Sequence, residues 1–465
     1  MRLPRVPTTA PRRRGRAPVL VLVVGLGPAL VACGGAGAPG GAGGPGGAEA
    51  PGSSSSPAAT ASPEPGTSPG VSPSYEVGGA ARAAVDTMLA RRAQAVRERD
   101  EAAFLATVDD RDPRLVAQQR TLYANLAQLR LARYDYETTA DQLLPDPVRR
   151  AGPREPVVRF QTIERTQVAD ALTGAVGNVV RMTYVRRAGQ WLVGRETAPE
   201  PVAGVPGQLR PWFGGPVDVA DRGTLVVLTD AADAGLADDL ADIVEDAVTA
   251  DAALLQVEPD RQVLVDATGN GPAVRLNTVD EEEAAAIYTG VFDLDAQGHR
   301  TTSSGGTIRI NPDLTAAELT GDPGLLRHEV VHLLLRRYTG ALPMWLSEGT
   351  AEYARWYPLT TSDLRVAPEL WRRVQAAPRQ LPGAGVFQLD PAVNYLVSQA
   401  AAQHLLARGG PVALRSLLEG YRTGAAAGTG PEDGDLTDRL LDDVYDTTEA
   451  EVVDGAWDAL GRLDR

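Results

Sequence analysis

The sequence predicts an α+β fold, because helical and extended patterns occupy separate stretches of the chain instead of alternating. Apolar residues recur with helical spacing over Ala80–Val108 and Pro113–Glu137, and alternation of apolar and polar residues follows. A second region begins with short apolar strands and becomes helical from Leu325 onward. Helices and strands in separate blocks are typical of α+β domains.

Length and charge limit the classes of protein to consider. With 465 residues the chain can form two or three domains, each with its own core. The net charge is −15 although six arginines and no acidic residue lie in the first 32 positions, so the remainder is more acidic still. We therefore expect no nucleic acid and no anionic lipid surface as an electrostatic partner. The single cysteine excludes an internal disulfide framework, and no pattern predicts an oligomeric state.

The N-terminus has the arrangement of a secretion signal. Pro11–Arg16 is positively charged, and Ala17–Ala32 is apolar but too short and too rich in glycine to span a membrane comfortably. The run ends in Leu-Val-Ala-Cys, which resembles the lipobox of bacterial lipoproteins. The resemblance implies a signal peptide at 1–32 and a lipid such as palmitate on Cys33. The protein would then be held on the extracytoplasmic face of the cell membrane by this lipid anchor alone; an ordinary secretory signal ending near a cysteine is the alternative.

Residues 33–75 predict a flexible linker. Glycine, proline and serine dominate this stretch without periodicity, so it cannot bury enough apolar surface to offset the entropy lost on ordering. We expect it to space the folded part from the membrane.

The first folded region covers residues 76–200. After its helices, alternating patterns predict strands over Glu155–Val168, Ala175–Gly189 and Gln190–Ala198. The closing pair, Val179–Glu196, resembles the last hairpin of nuclear transport factor 2-like domains, which implies a cone-like α+β domain. We find no catalytic cluster in it and expect a role in spacing or in binding a ligand or partner.

The second folded region covers residues 208–465. Short strands are predicted at Gly223–Asp230 and Arg261–Thr268, with a helix over Leu236–Leu255 between them. In Gly305–Asp313, isoleucines alternate with polar residues, which indicates a half-exposed edge strand. The last helix is expected to begin at Thr448, which has a capping-box spacing to its glutamate partner.

Two histidines suggest a metal site on the helix that opens the all-helical part. Asp322 and Pro323 are suited to start this helix, and Gly340 closes the segment. His328 and His332 are one turn apart and therefore share a face. Two imidazoles placed in this way can hold one zinc ion.

Glutamates near the two histidines complete the candidate site. Glu329, adjacent to the first histidine, can reach a water molecule on the metal. A tetrahedral catalytic zinc needs a third protein ligand, and Glu348 follows on a second helix that starts at Pro343. Glu352 lies one turn further on the same face and can accept a hydrogen bond from the outer nitrogen of a ligating histidine.

This pattern resembles that of a known group of enzymes. His-Glu-Val-Val-His followed by Trp345–Tyr353 is similar to the gluzincin clan of zinc metallopeptidases, particularly peptidase MA-like domains. The resemblance covers about Gly223–Leu463 and is specific only between the first histidine and Tyr353. It implies a small sheet with a mostly helical remainder. It also implies that Gly305–Asp313 borders the cleft and can pair with an extended peptide.

The resemblance also assigns roles to individual residues. Zn²⁺ would be bound by His328, His332 and Glu348, with Glu329 as the general base. Tyr395, near the start of a downstream helix, would support the oxyanion. The implied activity is hydrolysis of peptide bonds in a peptide or protein substrate by a zinc-activated water, and the absence of an amine-binding motif favours an endopeptidase.

Other interpretations remain open. The protein could be an inactive zinc-binding scaffold whose first region binds a ligand or partner, or a structural lipoprotein without metal. In the latter case His328 and His332 would be packed or surface histidines. Glu348 and Glu352 would then form a solvated helix face, and Tyr395 would be an ordinary core residue.

Overall fold

The computed structural model describes residues 73–138, 157–197, 210–270 and 285–463. The predicted signal peptide, Cys33 and nearly all of the predicted linker lie outside these residues. The α+β class is confirmed, because two sheets of separate topology are combined with many helices. No helix in the described ranges combines the length and the apolar composition needed to cross a bilayer.

The first unit, residues 73–197 as far as they are described, is a four-stranded antiparallel sheet with helices on it. Its strands follow the order β1-β2-β3-β4. Val85 and Met88 of the first helix pack against Phe160, Met182 and Tyr184 of the sheet. The elements are α1 (Pro73–Glu98), α2 (Glu101–Leu105), α3 (Pro113–Gln128), β1 (Leu131–Thr138), β2 (Val157–Val168), β3 (Val176–Arg187) and β4 (Gln190–Thr197).

The helical pattern predicted up to Glu137 is wrong in its last part. Helix α3 ends at Gln128, and the following residues form strand β1. Tyr134 and Tyr136 lie on the same side of this strand, with their hydroxyl oxygens 2.5 Å apart. Pairing with β2 decides the conformation here, and the two-residue spacing of the tyrosines was the available signal.

The second unit, residues 217–463, contains a five-stranded mixed sheet of order β5-β6-β7-β9-β8. Strands β6, β7 and β9 run parallel, and antiparallel strands lie at both edges. One face packs on α4 and α6 through Leu240, Val244 and Val330. The strands are β5 (Val217–Asp221), β6 (Leu225–Asp230), β7 (Val263–Ala267), β8 (Ala286–Leu294) and β9 (Arg300–Ile310). The helices are α4 (Leu236–Leu255), α5 (Ala316–Gly321), α6 (Pro323–Leu334), α7 (Met344–Trp356), α8 (Pro368–Ala376), α9 (Ala384–Phe387), α10 (Pro391–Ala426), α11 (Gly434–Tyr445) and α12 (Glu449–Leu460).

The strand predicted at the sheet edge is in fact internal. Strand β9, which contains the alternating pattern, lies between β7 and β8. Thr307 and Arg309 were expected to face solvent but are buried. They share a sheet face with Leu264, which contacts the first unit. The face of β9 that carries these polar residues is covered by the first unit rather than by water, so the polar alternation does not mark an exposed face.

A hydrophobic core joins the two units. Leu126, Tyr134 and Val168 of the first unit belong to the same buried cluster as Leu228 and Leu264 of the second sheet. The sheet of the second unit is therefore covered on one face by helices and on the other by the first unit.

The β8–β9 hairpin is also fastened to the first unit at its far end. Arg165 of β2 forms an ion pair with Asp293 at 2.8 Å and donates to the carbonyl oxygen of Leu294 at 2.7 Å. A Cβ atom at Gly177 would lie 2.8 Å from the backbone nitrogen of Leu294, so glycine permits the contact. The hairpin is held by backbone contacts as well as by charge.

The helical part agrees with the sequence in most respects. Helix α10 bends at Gly410, where φ is +69° and Pro411 follows. Thr448 caps α12 by accepting from the backbone N–H of Glu451. In the predicted capping box, the carboxylate of Glu451 would accept from the backbone N–H of Thr448. It instead accepts from the hydroxyl of Thr447.

Candidate metal centre

Helix α6 places the two histidines and the adjacent glutamate in the interior. His328 and Glu329 are fully buried and His332 is nearly so. The helix begins at Pro323 as predicted, but the carboxylate of Asp322 does not cap it. It instead forms an ion pair with Arg355 of α7 at 3.1 Å, which ties the start of α6 to the end of α7.

A sharp reversal returns the chain so that α7 lies beside α6. A 3₁₀ turn at Arg336–Tyr338 is followed by Gly340 at φ +78°, a backbone conformation that favours glycine. On α7, a Cβ atom at Gly349 would lie 2.2 Å from the carbonyl oxygen of Ser398 on α10. The glycine after Glu348 therefore allows α10 to cross close against α7, so that α10 packs on the helix that carries Glu348.

His328, His332 and Glu348 converge in this interior. The Nε2 atoms of the two histidines are 3.2 Å apart, and Glu348 Oε2 lies 3.4 and 3.5 Å from them. In a tetrahedral zinc site with bonds of about 2.0–2.1 Å, neighbouring ligand atoms are about 3.3–3.4 Å apart. The three atoms thus have the mutual spacing of ligands around one metal ion, and they form a buried group that can hold one.

The charges of the site also suit a cation. Burial by itself would raise the pKa of Glu348, but the two imidazoles hold it below its ordinary value. Burial raises the pKa of Glu329. Glu348 is thus favoured in the ionised form that a metal ligand requires. The guanidinium of Arg355 lies 3.4 Å from Glu352 and is shared with Asp322 at 3.1 Å.

Glu352 contacts the outer side of the first histidine. Its Oε1 atom lies 2.9 Å from His328 Nδ1, while Nε1 of Trp356 donates to its Oε2 atom at 2.8 Å. Burial would raise the pKa of Glu352, but the charge of Arg355 and the contact with His328 lower it to about 2. The side chain is therefore an anion fixed at both oxygens, and it orients the imidazole with Nε2 toward His332 and Glu348.

Glu329 is held by the second sheet. The backbone N–H of Tyr288 in β8 donates to its Oε2 atom at 2.6 Å. The other oxygen, Oε1, is buried and accepts no hydrogen bond from the part of the chain that the structure describes. One oxygen thus fixes the side chain, and the second remains able to accept a proton.

Tyr395 lies beside the first histidine. The ring centroids of Tyr395 and His328 are 5.9 Å apart and the rings are nearly perpendicular. Phe387 of α9 packs edge-on against the same tyrosine, with centroids 5.0 Å apart, and also contacts Ile287 and Met344. The predicted residue is therefore at the site, on a small apolar cluster that joins β8, α7, α9 and α10.

A cleft of about 230 Å³ opens beside His332. Its walls include Tyr288, Thr289 and Gly290 of β8 on one side and Ser347 of α7 on the other. The prediction that Gly305–Asp313 borders the cleft is wrong: none of these residues lines it, Gly305–Ile310 lie in the internal strand β9, and the edge strand β8 borders the cleft. The β-branched and aromatic residues of Ala286–Leu294 were the signal that could have identified it.

Comparisons with known proteins give no family. No family model, no curated protein and no solved structure matches the chain. The contacts that sequence reasoning missed are the backbone N–H of Tyr288, the indole of Trp356 and the guanidinium of Arg355. The last two lie one turn beyond Glu352 on α7, where helical spacing could have suggested them.

Proposed function

We propose that the protein is an extracytoplasmic zinc-dependent peptidase whose site lies between α6, α7 and β8. The observation that carries the proposal is the buried convergence of His328, His332 and Glu348 at the spacing of tetrahedral ligands. Two imidazoles and one carboxylate are a donor set that zinc favours, and three protein ligands are the number found in catalytic zinc sites. Bound zinc would supply a Lewis acid that acidifies water and polarises a carbonyl.

The chain's own residues would perform the proton transfer. Glu329 would take a proton from the attacking water at Oε1 and later release it to the leaving amine. Its Oε2 atom would stay bound to the Tyr288 N–H. Tyr395, next to His328, would donate a hydrogen bond to the developing oxyanion.

Strand β8 would bind the substrate. It is an edge strand of the second sheet and lines the cleft. An extended peptide can add to such an edge through backbone hydrogen bonds. Pairing along a strand does not need a free substrate terminus, which favours an endopeptidase.

The location of the protein forms part of the proposal. Cys33 would carry the lipid that anchors the chain to the extracytoplasmic face of the membrane, as the lipobox pattern predicts. Labelling with palmitate should mark the wild-type chain and not Cys33→Ser; equal labelling of both would contradict the anchor. The first unit would be a cone-like domain similar to nuclear transport factor 2, consistent with its antiparallel sheet packed on α1.

Glu329→Gln is the variant that tests the mechanism. Glutamine keeps the shape of the side chain and an oxygen for the Tyr288 N–H, but it cannot serve as a base at neutral pH. We expect the purified variant to retain about one zinc per chain and to cleave a peptide library roughly 10²–10⁴-fold more slowly.

His328→Ala provides the matched control, because it should lose zinc and activity together. A wild-type chain that binds zinc but cleaves no peptide would indicate an inactive scaffold. A wild-type chain without metal would leave only a structural role. A Glu329→Gln chain that keeps zinc and the full rate of cleavage would falsify the mechanism.

A further inference from the structure

A second group of buried charges lies in the interior of the first unit, remote in sequence from the metal centre. Arg92 of α1, Glu164 of β2 and Glu196 of β4 are nearly or fully inaccessible to solvent. Arg92 lies 3.5 Å from Glu196, and its guanidinium stacks on Phe104 at 3.7 Å from the ring centroid. The first unit thus contributes one arginine and two carboxylates to this buried group.

The second positive charge comes from outside the unit. Arg210 belongs to the segment that leads into the second sheet, yet only 4% of it is exposed. Its Nε and Nη2 atoms donate to the two oxygens of Glu164 at 2.9 and 2.7 Å, and Nη2 also donates to Glu196. This fork-to-fork geometry is the one by which carboxylates recognise guanidinium groups.

The residues after Arg210 bind in the same place. The indole of Trp212 is fully buried and donates to Glu164 at 3.3 Å, and the Phe213 ring lies 4.3 Å from the Arg210 guanidinium. The side chain of Asn125, on α3, donates to the carbonyl oxygen of Trp212 at 3.0 Å. Arg210 and Trp212 are therefore held by the first unit, as residues of a bound peptide would be, while the carbonyl oxygen of Pro211 accepts from the side chain of Asn270 after β7 at 2.9 Å.

We propose that the interior of the first unit is a guanidinium-binding site, and that its ligand is the chain's own segment Arg210–Phe213. By occupying this site, the segment attaches the start of the second unit to the first unit. Burial alone would raise the pKa of Glu164, and the charge of Arg210 brings it below its ordinary value, in agreement with a close ion pair. The proposal does not depend on the peptidase activity.

The test removes the guanidinium and supplies a small one in solution. Arg210→Ala should lower the thermal unfolding midpoint, and ethylguanidinium at millimolar concentration should raise the midpoint of this variant by about 2–4 °C. Ethylammonium, which lacks the planar fork, should raise it much less. Hydrogen exchange over residues 210–217 should be faster in the variant and should slow again when ethylguanidinium is added.

Arg222→Ala is the matched control. Arg222 also pairs with two carboxylates, those of Asp238 and Asp242 at 2.8 and 3.3 Å, but on an exposed surface. Ethylguanidinium should leave the midpoint of this variant unchanged. Equal effects of the two cations on Arg210→Ala, or equal rescue of both variants, would overturn the proposal. If Arg210→Ala does not fold alone, refolding yields with each cation give the same comparison.

Discussion

Glu352 illustrates how a single residue can determine the orientation of a candidate metal ligand. Its two oxygens are fixed by His328 and by the indole of Trp356. We expect Glu352→Ala to weaken zinc binding roughly 10–100-fold, because the imidazole loses the partner that sets its tautomer and orientation. Glu348→Ala should reduce affinity more strongly, since it removes a ligand atom. Competition with a zinc chelator measures both effects.

The control for this prediction is Glu369→Ala, which removes an exposed glutamate on α8 and should leave zinc affinity unchanged. An affinity of Glu352→Ala equal to that of the wild type would mean that the helix alone holds His328 in place. A larger loss for Glu352→Ala than for Glu348→Ala would mean that the roles of the two glutamates are exchanged.

The buried pair of Glu164 and Arg210 should make stability depend on pH. The pKa of Glu164 is lower in the folded protein than its ordinary value of 4.5, so the folded state favours the ionised form. The resulting stabilisation is present above this ordinary value and is lost as the pH falls through the lower, folded pKa. We expect the free energy of unfolding, measured with urea, to decrease below about pH 4.5.

Glu164→Gln should separate this effect from the titration of other acids. The variant should be less stable at pH 7, by up to about 3–5 kcal/mol, because the buried Arg210 loses a charged partner. The difference from the wild type should then shrink as the pH falls below 4.5. Glu245→Gln, at an exposed position of α4, should follow the wild-type curve. A constant difference at all pH values would contradict the assigned contribution of Glu164.

At the scale of secondary-structure elements, the crossing of α7 and α10 depends on Gly349. The added methyl group of Gly349→Ala would collide with the backbone of Ser398, which cannot rotate away as a side chain can. We expect a loss of at least about 1–3 kcal/mol in the free energy of unfolding. Zinc affinity should fall as well, because Glu348 is the preceding residue.

Gly321→Ala is the corresponding control, since no atom lies within 4 Å of the position its Cβ would take. Its unfolding free energy should equal or slightly exceed that of the wild type. A Gly349→Ala protein with wild-type stability and zinc content would show that the helices can separate without cost.

The elements differ in how far the sequence could predict them. Helix α6 and the start of α7 depend on local features, namely the spacing of His328 and His332 and the proline at each helix start. The candidate ligands could therefore be predicted from the sequence. Strand β1 and the internal position of β9 depend on pairing partners distant in the chain. For the same reason the contact from Tyr288 to Glu329 had no local signal, because it joins an edge strand to a helix.

At the scale of the whole molecule, the two units should unfold together. Residues of both contribute to one buried cluster, and the segment containing Arg210 and Trp212 is embedded in the first unit. The sequence predicts a division of the chain at about residue 208, between the strand patterns of the first region and those of the second. These patterns do not reveal that the second sheet is covered by the first unit. The role of Arg210 could not be predicted because its partners Glu164 and Glu196 lie on two separate strands, β2 and β4.

We therefore expect a single calorimetric transition for the folded part of the chain. Its calorimetric and van't Hoff enthalpies should agree, and fluorescence and circular dichroism should report the same midpoint. Two resolved transitions would mean that the shared core is too weak to couple the units.

The fastening of the β8–β9 hairpin has a mechanical consequence. The strand that forms one wall of the cleft is fixed near its end to the first unit by the contacts of Arg165 with Asp293 and Leu294. A displacement of the first unit would therefore be transmitted along β8 to Tyr288, whose N–H holds Glu329. Force applied at one end of the molecule, for instance by a tether, would reach Glu329 through a strand rather than through a loop.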